Sequence, residues 1–273
     1  HIATRLLSRS EQQVRAQDLF VNAVREGRIP WPEELAVAVG TRGMTEEVRT
    51  VMARARSHAL DPVDLAQLGR SGGQPLWEPV AMFMEEYLDV LGFEGVLDYG
   101  ELIYRTMLLC NEPNVRDFLH RTYAAIFVDE YQDTDPGQIE LLRQMVTAET
   151  SLVVVGDFDQ AIYGFRGADE AGIRVFPEDF ASVYGANIHD VVLTNCRRFG
   201  STIRQGASVV LDGYWPTKVP VSVVTEHRNP TCTNTYPGHI DVRTYDSEGA
   251  QAGHIADLIV REHAAGRSWS DMA

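Results

Sequence analysis

The sequence predicts an α/β fold in which a helical front leads into a parallel sheet, and three observations carry that prediction. Apolar residues recur at helical spacing through residues 1–97. From residue 98, short and almost wholly apolar runs at 124–128, 151–155 and 190–194 alternate with helical stretches. The first two runs close on acidic residues, at Asp129-Glu130 and Gly156-Asp157. Continuous apolar strands between helices indicate a parallel sheet buried on both faces, and ligands of such sheets gather at the carboxyl ends of the strands.

In the front, Ser10-Glu11-Gln12-Gln13 opens a helix with Val14, Leu19, Phe20 and Val24 inward, ending at Gly27. A second helix starts at Thr45-Glu46-Glu47-Val48, with Val51, Met52 and Ala55 inward. A third spans residues 79–91, burying Val80, Phe83, Met84, Tyr87, Leu88 and Leu91. Turn-rich breaks fall at Pro30-Trp31-Pro32 and Ser71-Gly72-Gly73. Nothing in this third carries recognisable chemistry, so it reads as a helical accessory region. Further helices are expected at 100–110, 115–123, 136–147 and 201–211. Asp135 is placed to N-cap the third of these, with Pro136 as its first helical residue.

A hydrophobic fraction of 44% and a charged fraction of 23% in 273 residues are those of an ordinary globular protein. No apolar run approaches the ~18–20 residues a membrane span needs. The first residues, His1-Ile2-Ala3-Thr4-Arg5, form no signal peptide. The absent initiator Met and the end at Asp271-Met272-Ala273 are expected of a piece of something longer. Three scattered cysteines, Cys110, Cys196 and Cys232, make neither a disulfide framework nor a metal motif, and a reducing, cytoplasmic compartment follows. A net charge of −15 argues at first against nucleic acid. It is only an average, however, and a protein that tracks single strands needs a narrow basic groove with stacking aromatics.

Val128-Asp129-Glu130 at the end of an apolar strand is the Walker B arrangement. Asp129 at the strand tip can hold Mg²⁺, which prefers oxygen ligands and keeps part of its water shell. Glu130 can orient and deprotonate an attacking water. The competing reading of the triplet alone is a strand ending in a solvated acidic turn.

Its surroundings decide between the two. Asp129-Glu130-Tyr131-Gln132-Asp133-Thr134-Asp135 resembles motif II of the UvrD/Rep/PcrA group of superfamily 1 DNA helicases. The run from Gly156-Asp157-Phe158-Asp159-Gln160 to Ala161-Ile162-Tyr163-Gly164-Phe165-Arg166-Gly167-Ala168-Asp169 resembles their motif III. The resemblance implies that Gln160 senses the γ-phosphate and couples it to the DNA side. Tyr163, Phe165 and Arg166 are then DNA-binding, the two rings as stacking platforms and Arg166 on a phosphate or behind Glu130. The rival is that both rings are core; Ile162 is a better core candidate than either. The family commonly has Trp where Phe165 stands.

Leu193-Thr194-Asn195-Cys196-Arg197-Arg198 resembles motif IV, with Arg197 matching the arginine finger. Such a finger supplies ~10³–10⁵ in rate through a planar fork suited to phosphate. Cys196 replaces the family's adenine-stacking Tyr and reads as a small packed residue. Leu97-Asp98-Tyr99-Gly100-Glu101-Leu102 resembles a segment upstream of motif II, with Gly100 in place of a carboxylate.

The resemblance therefore implies a RecA-like parallel sheet core behind a helical N-terminal accessory region. Residues 1–97 would be that region, 98–186 part of the first RecA-like motor domain, and 187–273 the start of a second. Its cofactors would be ATP and Mg²⁺, its partner single-stranded DNA, and its setting DNA repair or recombination, with no membrane. The helical front and Cys196-Arg197-Arg198-Phe199-Gly200 are similar to actinobacterial RecB-like helicase–nucleases of the AdnAB kind, which implies a second helicase–nuclease subunit. A phosphate-binding loop needs Gly-Lys-Ser/Thr, and the sole Lys, Lys218, follows Pro216-Thr217. The 273 residues by themselves are therefore expected not to hydrolyse ATP. The alternative, favoured by Cys196 and Gly100, is a degenerate motor half serving as a DNA-binding scaffold in a heterodimer.

Overall fold

The computed structural model describes residues 5–162, 172–185 and 187–272, and the chain divides into two compact units, His1–His189 and Asp190–Ala273. In the first unit the order is β1 (Arg5–Leu6), α1 (Arg9–Arg25), α2 (Arg42–Ser57), α3 (Pro62–Ser71), α4 (Trp77–Glu94), β2 (Val96–Leu97), α5 (Tyr99–Cys110), α6 (Pro113–Thr122), β3 (Ala125–Val128), α7 (Pro136–Met145), β4 (Ser151–Val154), α8 (Gly172–Asp179) and α9 (Ala181–Tyr184).

The helical front packs round an aromatic cluster. Phe20 meets Trp31 edge-on at 4.9 Å and Phe83 at 5.2 Å, and Phe20, Phe83, Met84 and Leu91 are fully buried. Helix α1 starts earlier than its apolar pattern predicts, because Ser8 and Glu11 form a reciprocal capping box. Its buried face is Gln12, Ala16, Phe20 and Ala23, whereas Val14 is 61% exposed, contrary to expectation. Small alanines, poorly visible in a hydrophobic pattern, line the close contact instead. Capped by Thr41, α2 begins at Arg42, three residues ahead of the expected start, and Val48, Met52 and Ala55 are buried as expected. Helix α3, capped by Asp61 with Pro62 at its first position, was not legible from periodicity. Neither was the two-residue parallel pair that joins β1 to β2.

Strands β3 and β4 run parallel in the register Ala125↔Ser151 to Val128↔Val154. Their inward side chains, Ile126, Val128, Leu152 and Val154, pack against a core of Tyr131, Ile139, Val146 and Phe180. The opposite face is open: Phe127 is 75% exposed, and Val153 and Val155 also face solvent. The expectation of burial on both faces is therefore met on one, because no described element covers the other. Asp135 caps α7 and Pro136 opens it, as predicted, with Gln138 closing a capping box.

The front and the sheet are joined where α2, α5 and α7 meet. Arg56 Nη2 lies 2.6 Å from Glu101 Oε2, and Arg105 Nε donates to Glu101 Oε1 at 2.7 Å. Both Arg56 and Glu101 are buried, and the Arg56 guanidinium lies 3.9 Å over the Tyr104 ring. A side chain at Gly137 would meet the Ser57 backbone and Ile103 at 3.3 Å, so glycine permits the close approach of α7. Nearby, Tyr87 Oη donates to Asp98 Oδ2, and burial together with that carboxylate raises the Tyr87 pKa, holding the phenol as a donor.

The second unit contains β5 (Asn195–Cys196), α10 (Ser201–Val210), α11 (Val221–His227), β6 (Thr231–Cys232) and α12 (Glu248–Ala264). The strand expected at 190–194 does not form. Val191 and Leu193 are exposed, and pairing begins only at Thr194, whose carbonyl accepts the Thr231 N–H, before β5 meets β6 in parallel. An apolar run becomes a strand only where a partner supplies the ladder.

Removing one partner of a buried ion pair strands the other charge. Glu101→Ala should therefore cost ~3–5 kcal/mol of stability in chemical denaturation. A loss under ~1 kcal/mol, the range of surface pairs, would mean that Arg56 and Glu101 do not join the two layers.

Candidate functional site

Chain geometry at the end of β3 places the acidic pair. The ladder continues past the strands, with the Val155 N–H on the Val128 carbonyl at 2.8 Å and the Tyr131 N–H on the Val155 carbonyl at 2.9 Å. A regular parallel ladder would offer the Glu130 N–H to the Val155 carbonyl; one extra residue is taken up between the two bonds instead, with Glu130 in the left-handed region, at φ 52° and ψ 41°. Such a conformation is uncommon for a residue with a Cβ and persists only where surroundings enforce it. The enforcement is visible. Tyr131 is fully buried, its ring edge-on to Phe176 at 5.5 Å, and it opens a short 3₁₀ turn, Tyr131–Asp133. Asp129 Oδ1 accepts the Glu130 N–H at 2.9 Å. Both carboxylates stay exposed at the strand tip.

The loop after β4 stands beside this turn, because the two strands are parallel neighbours. Gln160 ends the 3₁₀ turn Phe158–Gln160, and its amide donates to Asp157 Oδ2 at 2.6 Å. Asp157 Oδ1 accepts the Asp159 N–H.

Gln132, quoted within motif II but given no role by the sequence, connects the two loops. Only 2% exposed, it donates from Nε2 to Glu130 Oε2 at 2.6 Å and accepts the Asp157 N–H on Oε1 at 3.0 Å. Gly156 makes room for it: an added Cβ would lie 2.6 Å from Gln132 Oε1 and 2.8 Å from Ile173 Cδ1. A signal for this existed, in a glycine closing one strand and a glutamine two residues past the acidic tip of its neighbour. Only the tertiary pairing shows that they meet.

Asp129, Glu130 and Gln160 are thus brought together at one end of one parallel pair. Tyr163, Phe165 and Arg166 lie outside the described residues. Ile162, expected in the core, is 67% exposed, since the loop has already left the sheet. In the second unit, Arg197 and Arg198 are exposed beyond β5. Cys196 is half-buried, its thiol 3.8 Å from the Phe199 carbonyl. Gly100, on the first turn of α5, is under no steric demand; a Cβ there would make ordinary contacts of 3.6–3.7 Å.

Comparison with known proteins gives the family. Residues 3–181 match the family described as UvrD/REP helicase N-terminal domain. The chain belongs to that family. PcrA of Bacillus subtilis, an ATP-dependent DNA helicase, is 33% identical over 179 residues, 65% of this chain and 22% of its own length. DNA helicase II of Rickettsia typhi is 33% identical over 135 residues, 49% of this chain and 20% of its own. PcrA of Staphylococcus aureus is 29% identical over 195 residues, 71% of this chain and 25% of its own. The chain thus spans about a fifth to a quarter of the relatives it matches. Among the described residues, no helix is long and apolar enough to cross a membrane.

The tight fit at Gly156 gives a direct test of the contact between the two loops. Gly156→Ala must push Gln132 or Ile173 aside, and overpacking of this kind costs ~1–3 kcal/mol. A variant melting at the wild-type temperature would show that the two loops are not held against each other.

Proposed function

We propose that this chain is part of an ATP-driven DNA helicase motor that couples ATP hydrolysis to movement on single-stranded DNA, serving repair or recombination. The observation that carries the reading is the meeting of the Asp129-Glu130 pair with the Gln160 loop at the carboxyl ends of two parallel strands, in a chain of helicase family. In this reading residues 98–186 belong to a first RecA-like domain and 187–273 begin a second.

The donor set suits Mg²⁺, because Asp129 presents an exposed, hard oxygen ligand at the strand tip. Bound with ATP, the cation supplies charge neutralisation at the phosphates. The chain's own residues do the rest. Asp129 holds the cation's water shell, and Glu130 orients the attacking water and takes its proton. Gln160 meets the γ-phosphate, and Arg197 serves as the arginine finger. Tyr163 and Phe165 stack on bases, with Arg166 on a phosphate. Stacking tolerates any base and is worth ~1–3 kcal/mol per ring, which reconciles DNA binding with an acidic average.

No Gly-Lys-Ser/Thr stands within the chain, so the β- and γ-phosphates would be held by residues outside it. The scaffold alternative rests on Cys196 and Gly100. Gly100 is a sterically neutral helix position, and the relatives reported above are named as helicases.

In a complete motor carrying this segment, Glu130→Gln should keep ATP affinity while turnover falls ~10²–10⁴-fold, the usual share of a general base. Binding measured by fluorescent nucleotide and turnover by phosphate release separate the two effects. A parallel loss of both would make Glu130 a binding residue and contradict the assignment.

A further inference from the structure

Glu130 is an exposed glutamate, and an exposed side chain with several rotatable bonds has no inherent reason to hold one direction. Two constraints remove that freedom. Its backbone is fixed in the left-handed region by the buried Tyr131 that follows it. Its carboxylate is fixed by the 2.6 Å bond from Gln132 Nε2. The orientation of that amide is not arbitrary. The Asp157 backbone N–H is an obligate donor, so Gln132 must turn its oxygen to it, and the NH₂ group then faces Glu130. With 2% exposure, the amide has little water to exchange these bonds for. From Asp157 the chain of bonds continues through its own carboxylate to Gln160.

We infer that Gln132 is a positioning residue for ATP hydrolysis: it aims the Glu130 carboxylate and ties it to the Asp157–Gln160 loop, so that the base and the γ-phosphate contact move as one hydrogen-bonded unit. This rests on the reading of Glu130 as the water-activating base. Gly156 belongs to the same device, since any side chain there would occupy the space of the Gln132 amide oxygen. Of the residues in the relay, Gln132 alone is nearly inaccessible while bonding to both loops. That is the placement of a strut between two working groups.

Two substitutions separate aiming from mere space-filling. Gln132→Glu keeps the size and the acceptor for the Asp157 N–H but loses the donor to Glu130. Gln132→Met keeps the length and removes both bonds without adding a charge. In a complete motor carrying this segment, both should lower kcat by at least ~10-fold while the KM for ATP stays within ~3-fold, the signature of a contribution to the chemical step rather than to binding. In a Glu130→Gln background neither should lower kcat further, because a positioning residue has nothing left to position. Melting temperatures identify any variant that fails to fold, and Gln132→Met carries the test should the buried carboxylate prevent folding. Wild-type kcat in either folded variant, or a loss that multiplies with that of Glu130→Gln, would overturn the inference. A wild-type motor without turnover would instead overturn the functional reading beneath it.

Discussion

At the end of β3 the chain takes up one extra residue in a tight turn at Glu130, and the candidate site depends on how that turn is held. Glu130 occupies the left-handed region without the freedom of glycine, between Asp129, which takes its N–H, and Tyr131, which is driven fully into the core. Conformations of this kind cost ~1–3 kcal/mol and cluster where function requires a side chain aimed against its preference. Here the turn projects two successive carboxylates from a strand tip and keeps both exposed, while the residues on either side are committed to the sheet and the core. Gln132 then converts a turn into a site, by binding the second carboxylate and the neighbouring loop at once.

The parallel register of β3 and β4 is the second requirement, because it puts both strand ends on the same edge. The sheet does not stand alone. Through α7 it leans on α5 and α2, where the buried Glu101 holds Arg56 from one helix and Arg105 from its own. Gly137 lets α7 approach the end of α2 closely. The helical front is therefore tied to the sheet through α7, although none of its residues carries recognisable chemistry.

Much of this was legible in the sequence, and the legible parts share a physical character. The strand ends at Asp129 and Gly156 announce themselves because an apolar run and a polar cluster are local patterns. So do Asp135 and Pro136, since capping is decided within one turn. What escaped was non-local. Residues 190–194 have the composition of a strand, yet a ladder begins only where 231–232 offers a partner. Val14 and Ile162 were expected inside and are outside, because helical phase and loop direction depend on what packs against them. Gln132 was in plain view within motif II, but its role appears only when the loop after β4 is beside it.

If Gln132 holds Glu130 in the direction from which it activates water, a crystal structure of a complete motor carrying this segment, with ADP, Mg²⁺ and a γ-phosphate mimic bound, should show it. Glu130 should keep its left-handed backbone and its bond from Gln132. Its free carboxylate oxygen should lie ~2.6–3.2 Å from the water in line with the mimic. A Glu130 carboxylate still held by Gln132 but turned away from that water would contradict it.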